Sequence, residues 1–380
     1  MIKQGKGKRL KGKGLELRIL VKRFVFLTFA LCLLPFALSY AGDPGTSALD
    51  FLKLQVGARQ AGMGGGSVAL ADDINAANSN PAGLSMVNRP EAGFLFSQYL
   101  QGISYEHLGF SVPTHRGTFG FQATTLDYGS MDSYDANDNR TGSVSGGDMS
   151  LAVSYAREVL PGLSFGGNLH YLREKLDFEA ATGESIDLGV MYRPEVTKGI
   201  LSHLRFGMAV DNLGPKIGFI DEKAPLPMDV SAGVGYDALL EALNLYLEGH
   251  KPNDDSAYVN LGGEYWFLGM LALRAGYQSG SDIGPGASIG TGVRFGGLQI
   301  DYSWMPYGDL GSTQRIGIVY RFGGAETADL RMKAQQAYQR GRYYEALSYL
   351  GQLISDDPHD RSAKVLYPAS QEKILLIEAK

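Results

Sequence analysis

The sequence predicts an all-β fold: a transmembrane antiparallel β-barrel of about 14 strands, with an N-terminal hatch before it and a small C-terminal α-helical hairpin after it. Three observations predict this. Residues Glu91 to Phe322 alternate apolar and polar side chains with a period of two, in segments broken by Gly, Pro, Asn and Asp. The connections between the segments alternate in length, as short periplasmic turns and long outer loops do. Glycine supplies 51 of the 380 residues and is accompanied by 21 Tyr and 17 Phe, a composition of short alternating strands. The charged content of 20% excludes a disordered chain. Serial apolar runs of about 20 residues, which a polytopic helical membrane protein needs, do not occur. A net charge of -5 gives no reason to expect nucleic acid as a partner.

Residues 1–41 read as a signal peptide. Lys22 and Arg23 precede the apolar run Phe24 to Leu38, and Ser39 and Ala41 are the small residues at the −3 and −1 positions of a cleavage site. The single cysteine, Cys32, lies inside this leader, so the exported chain is expected to carry no thiol.

The barrel is expected over residues 91–323. Its segments begin near Ala92, Ile103, Thr118, Met149, Leu163, Ser185, Leu204, Asp229, Leu243, Tyr258, Leu271, Ala287, Leu298 and Thr313. Tyr128–Gly147, Leu176–Gly183 and Gly214–Pro225 are the long outer connections, and Pro194–Ser202 is the one long connection on the expected periplasmic side. In the last segment Ile316, Ile318, Tyr320 and Phe322 share one face, and Arg315, Gly317, Val319 and Arg321 the other. In a barrel the apolar face meets lipid and the polar face lines the interior. That interior face collects Arg205, Asp211, Glu264, Arg274, Arg294, Asp301 and Arg315, and also Arg173. Opposite signs on neighbouring strands predict the pairs Glu264 with Arg274 and Asp301 with Arg315.

Residues 42–90 show no strand series. They hold Val56 to Gly65, VGARQAGMGG, then Ala71-Asp72-Asp73, then Asn80-Pro81-Ala82-Gly83-Leu84. The glycine run Gly62, Gly64, Gly65 and Gly66 suits close packing inside a barrel and is not set in a βαβ unit, so it does not read as a dinucleotide loop. These blocks resemble the PorV/PorQ family, which belongs with the FadL-type barrels. Further matches are SYEHLGFSVP, the spacing of Ile186–Pro194, DNLGPKI at Asp211–Ile217, LGGEYWF at Leu261–Phe267, LALRAGYQSG at Leu271–Gly280 and DYSWMPYGDLG at Asp301–Gly311. The resemblance runs from Leu49 to Phe322 and implies a hatch-plugged barrel of about fourteen strands.

No catalytic motif is found, and an enzyme is not expected. The six histidines are scattered, without an HExxH pair. Asp135, Asn137, Asp138 and Asn139 in the longest loop lack the turning Gly and closing Glu of an EF-type site, so the loop reads as a solvated tip. Neither metal nor cofactor is implied.

Residues 324–380 change period. Gly341, Tyr343 and Ala346, followed by Pro358, resemble part of one tetratricopeptide repeat, and Pro368 interrupts what would be the next. The hatch is expected to begin on the periplasmic side. An even strand number then returns the chain to that side, which puts the tail in the periplasm.

Localisation in a bacterial outer membrane follows, with lipid as the first partner. The resemblance implies a role in protein secretion or anchoring, as in a type IX secretion component, with secreted proteins at the outer loops and a periplasmic protein at the tail. The alternative is a FadL-like transporter of small hydrophobic molecules. A transporter calls for an apolar pocket between hatch and wall and a kinked strand. A scaffold calls for a sealed wall and a charged lumen.

Overall fold

The computed structural model describes residues 44–194, 200–219, 222–239, 242–281, 283–322, 326–356 and 360–378. The signal peptide and its cleavage site lie outside the described residues. Fourteen strands follow one another: β1 (Glu91–Gln98), β2 (Ser104–Thr114), β3 (Gly117–Tyr134), β4 (Arg140–Leu160), β5 (Leu163–Leu176), β6 (Glu179–Tyr192) and β7 (Leu204–Leu213), then β8 (Asp229–Ala238), β9 (Leu243–Pro252), β10 (Tyr258–Phe267), β11 (Leu271–Gln278), β12 (Ala287–Phe295), β13 (Leu298–Pro306) and β14 (Ser312–Arg321). Each pairs antiparallel with its neighbours, and β1 closes on β14 in a register running from Glu91 opposite Arg321 to Gln98 opposite Gln314. Closure leaves no edge strand, the condition for a sheet to cross hydrocarbon.

The pleat sorts the side chains by face. On β13, Ile300 is 44% exposed while its neighbour Asp301 is 3% exposed. Phe94, Phe110, Phe121, Leu169, Leu247 and Ile318 are exposed in the same way on six other strands. An apolar belt continuous around the molecule is stable against lipid chains and unstable against water. Among the described residues no helix is long and apolar enough to cross a membrane.

Two connections are shorter than their polarity predicts. β4 starts at Arg140 and β6 at Glu179, so most of Tyr128–Gly147 and Leu176–Gly183 is strand. The β3–β4 ribbon continues past the last β2 pair, Ser104 with Asp127, through Ser130 opposite Ser145 to Tyr134 opposite Arg140. Most side chains on this ribbon, on both its faces, are exposed. A ribbon wet on both sides needs no apolar alternation, which is why the hydrophobic period stops before the strand does. Arg173 is also exposed, on the outer face of β5; Leu172 takes the lumen position there.

Beyond the barrel lie α2 (Glu326–Gln339), α3 (Tyr343–Asp356) and α4 (Arg361–Glu378), the short hatch helix α1 being Ala58–Ala61. The expected helical hairpin is extended by a third helix, and Pro368 lies within that helix rather than ending it. Ala334, Ala337, Ala346, Leu350, Leu353, Ala363 and Leu366 form the core of the three.

Candidate functional site

The candidate site is the lumen and the hatch that fills it. The hatch enters from the end of the barrel that carries the long connections. The Ala48 amide donates to Pro225 in the β7–β8 connection, and Lys53 Nζ lies 2.5 Å from Asp254 in the β9–β10 connection. Ser47 also donates to Asp254. It leaves at the opposite, short-turn end, where the Phe322 amide donates to the Pro90 carbonyl. The expectation that the hatch begins at the end where the barrel begins is corrected: the segment threads the lumen from loop end to turn end before β1 starts.

At the loop end the hatch is apolar. Leu49 and Phe51 are buried with Leu95, Tyr105, Leu126, Leu172, Ile217 and Leu226. Beside this cluster an open groove of about 630 Å³ is lined by Ala48, Glu174, Ile217, Phe219 and Lys223.

Deeper in, packing is backbone on backbone. Gly62 faces Gly290 on β12, where an added Cβ would stand 2.9 Å from the Gly290 Cα. Gly64, with φ +87°, abuts Gly276 and Tyr277 of β11. Gly65, with φ +88°, sits under the Gln55 side chain, and the Gly66 amide donates 3.0 Å to the Tyr246 hydroxyl. The wall reciprocates with inward glycines: Gly207 meets Val68, Gly262 meets Met63, and Gly166 and Gly189 meet Pro81. These wall glycines escape a sequence reading because inward glycine and weak strand look alike. Their signal is that each stands on the polar parity of its strand.

Asn80 caps the 3₁₀ turn Pro81–Met86 by accepting from the Ala82 amide at 3.1 Å, and its Nδ2 donates to the Val68 and Val190 carbonyls. Gly83 packs on Ala71 and Ala76. Ala82 and Leu84 are buried with Ile74, Val87, Ala156, Met191 and Val319. The Asn80 to Leu84 block thus ties the rear of the hatch to β4, β5 and β6.

Between these regions lies a buried ionic network. Arg59 of α1 forks onto Glu264 of β10 at 2.9 and 3.0 Å and reaches Asp72 at 2.6 Å and Asp73 at 3.5 Å. Arg205 pairs with Asp237 at 2.6 Å and with Asp72 at 3.4 Å. Arg274 joins Glu264 at 2.7 Å to Asp301 at 2.8 Å. Asp301 therefore pairs across β12 to Arg274 and not with Arg315. Arg315 stands opposite Ser303 and donates to the Gln55 carbonyl of the hatch at 2.5 Å. Arg294 lies over the Trp266 ring at 4.2 Å and donates to Gln299. Asp211 sits at the bulge where the β6–β7 register slips, beside Asn212, whose φ is 61° and whose amide donates to Asp187. A fork onto a carboxylate gives direction as well as energy. Arg59 is the hatch residue whose ion pair ties α1 to the wall, a role not visible in the sequence.

At the tip of the β3–β4 ribbon, the Asp135 carboxylate accepts from the Asn137 and Asn139 amides and the Asn139 side chain. Bonds from Asn139 and then Asn137 hold this carboxyl below its ordinary range. It is a turn cap. Among the described residues no cluster of His, Cys, Asp and Glu could hold a metal ion. In the tail, Gly341 turns α2 into α3 with φ 74°, Tyr343 packs edge-on to Tyr338 at 5.4 Å, and Ala346 is buried. Pro358 lies outside the described residues.

Three solved structures are similar to this closed barrel in fold. The toluene transporter TbuX of Ralstonia pickettii is similar in fold: TM-score 0.50 and 14% identity over 70% of this chain and 98% of that chain. A FadL homologue of Pseudomonas aeruginosa gives 0.50 and 13% over 70% and 98%. The CymD monoaromatic hydrocarbon channel gives 0.52 and 13% over 71% and 98%. The chain itself belongs to an uncharacterised protein family, UPF0164, whose model matches residues 42–232. No curated protein matches it.

Proposed function

We propose that this protein is a FadL-type outer-membrane barrel that takes up small hydrophobic molecules from its loop end. The observation that carries the reading is the apolar cluster around Leu49 and Phe51, set at the mouth of a lumen whose next layer is ionic. A plug needed only for sealing has no use for an apolar mouth. A mouth that accepts hydrocarbon must offer buried apolar surface and an open approach, and the neighbouring groove gives the approach. The transporters and channel of similar fold support this by analogy of fold.

Uptake of labelled toluene tests it, with the protein expressed in the outer membrane of a host lacking its own hydrocarbon channel. Leu172→Asp puts a carboxylate into the cluster and is expected to lower the initial rate roughly tenfold, with the barrel still heat-modifiable. A wild-type rate equal to the empty-vector rate overturns the reading.

A second reading is a PorV-like role in secretion or anchoring, with a tetratricopeptide-like tail. A closed wall, a charged lumen and a ribbon standing above the barrel favour it. Here the β3–β4 ribbon receives secreted proteins and the tail meets a periplasmic partner. It predicts no toluene uptake, and co-purification of a secreted protein that is lost when residues 130–145 are removed.

A further inference from the structure

The two halves of the hatch are held by different forces. The rear half carries the apolar side chains Ile74, Leu84 and Val87 into a common core with the wall residues Ala156, Met191 and Val319. The middle of the hatch, from Ala58 to Gly66, buries Ala58, Ala61 and Met63 but otherwise meets the wall through glycine backbone, a smaller apolar contact than the rear half makes. Its polar ties to the wall are the Arg59 fork onto Glu264 and the bonds of the Tyr246 hydroxyl with the Gly66 amide and the Met63 carbonyl, and of these only the fork carries charge.

The wall around this segment is polar. Ser231, Asn260, Ser288, Ser303 and Thr313 are buried, and their side-chain polar atoms make no hydrogen bond among the described residues. They stand on β8, β10, β12, β13 and β14, and α1 packs on the last three of these strands. A buried hydroxyl or amide without a partner is unfavourable, and water restores what it lacks. Withdrawal of the segment would open this polar wall to water, and the ionic fork holds the segment in place.

We infer that the segment around α1 is a gate latched by Arg59 on Glu264, and that the path it closes is hydrophilic, suited to water, ions and small polar solutes. This is separate from hydrocarbon uptake: toluene would enter the apolar mouth above the latch, whereas ion current reads the path beneath it.

Planar-bilayer recording on the full exported chain tests the gate. Arg59→Gln with Glu264→Gln removes both charges of the latch, leaves Asp72 with Arg205 and Arg274 with Asp301, and is expected to raise open probability at least about tenfold over a nearly silent wild type. Ala58→Cys with Gly317→Cys supplies a lock, because a Cβ at Gly317 stands 3.2 Å from the Ala58 Cβ and the only native cysteine is Cys32 in the leader. Oxidation of that pair in the Gln/Gln background is expected to silence the current, and reductant to restore it. Heat-modifiable migration confirms folding. If the Gln/Gln protein fails to fold, Arg59→Lys keeps the charge, loses the fork, and carries the test at smaller amplitude. A folded Gln/Gln or Lys variant as silent as the wild type overturns the gate. So does a current that the disulfide leaves unchanged.

Discussion

Single residues decide how the hatch is fastened at its exposed end, and Lys53 with Asp254 is the clearest case. Burial raises the Asp254 pKa, but the bonds from Lys53 and Ser47 outweigh it and hold the carboxyl below its ordinary 3.8. Burial likewise lowers Lys53, but Asp254 and Asp50 hold it above 10.5. The Asp254 contribution is present above the ordinary carboxylate range and is lost as pH falls through the depressed value. The Lys53 contribution is present below its ordinary value and is lost as pH rises through the raised one. The tether is therefore intact across neutral pH and opens in acid. Asp254→Asn is expected to speed amide exchange of residues 46–54 about two- to five-fold at pH 7, as suits a half-exposed pair of about 0.4–1 kcal/mol. As the pH falls through the depressed Asp254 value, the variant and wild type should converge. Equal exchange at pH 7 would show that the Ala48 to Pro225 bond and the apolar cluster hold this end without the pair.

At the scale of elements, the strands were legible wherever one face is dry. Alternation placed Ile300 toward lipid and Asp301 inward because the two environments differ, and it stopped at Met149 because the ribbon beyond is wet on both faces. The Glu264–Arg274 pair was legible because the two stand directly opposite; Asp301 with Arg315 was not, because Gly317 is the residue opposite Asp301. The Asn80 to Leu84 block was legible as turn chemistry, but the path of the hatch was not, since no local pattern says which end of a lumen a segment enters. Occupancy of the lumen also changes what a substitution does. Ile300→Arg sets a charge in hydrocarbon and should cost about 2–4 kcal/mol if it lies near the bilayer midplane. Ser303→Arg would be mild in an empty lumen, but Ser303 stands opposite Gly290, against which Gly62 packs. It should therefore dislodge the hatch while sparing the shell. Folding into lipid vesicles measures the first, and protease sensitivity of the hatch the second. A hatch that stays protected in Ser303→Arg would mean that the lumen has room to spare there.

For the whole molecule, the side on which the tail emerges is a matter of parity counted from β1 rather than from the start of the hatch. The hatch begins at the loop end, but β1 begins at the turn end, and fourteen antiparallel strands bring β14 back there, as the bond from the Phe322 amide to the Pro90 carbonyl records. The tail therefore leaves from the same end as the short turns. Its helices satisfy one another through Ala334, Ala346, Leu350 and Leu353, and Arg331 pairs with Asp360, so their core does not require the barrel wall. A barrel whose assembly reads the last strand would then find that strand inside the chain, ending at Phe322, with the tail appended. If the long connections face outward, a cysteine at the exposed Gln352 should resist an impermeant thiol reagent on whole cells and react once the outer membrane is breached. Truncation after residue 324 should leave a heat-modifiable barrel in the outer membrane. Labelling of Gln352→Cys on intact cells would reverse the orientation: the ribbon would then face the periplasm, and the apolar mouth would open inward.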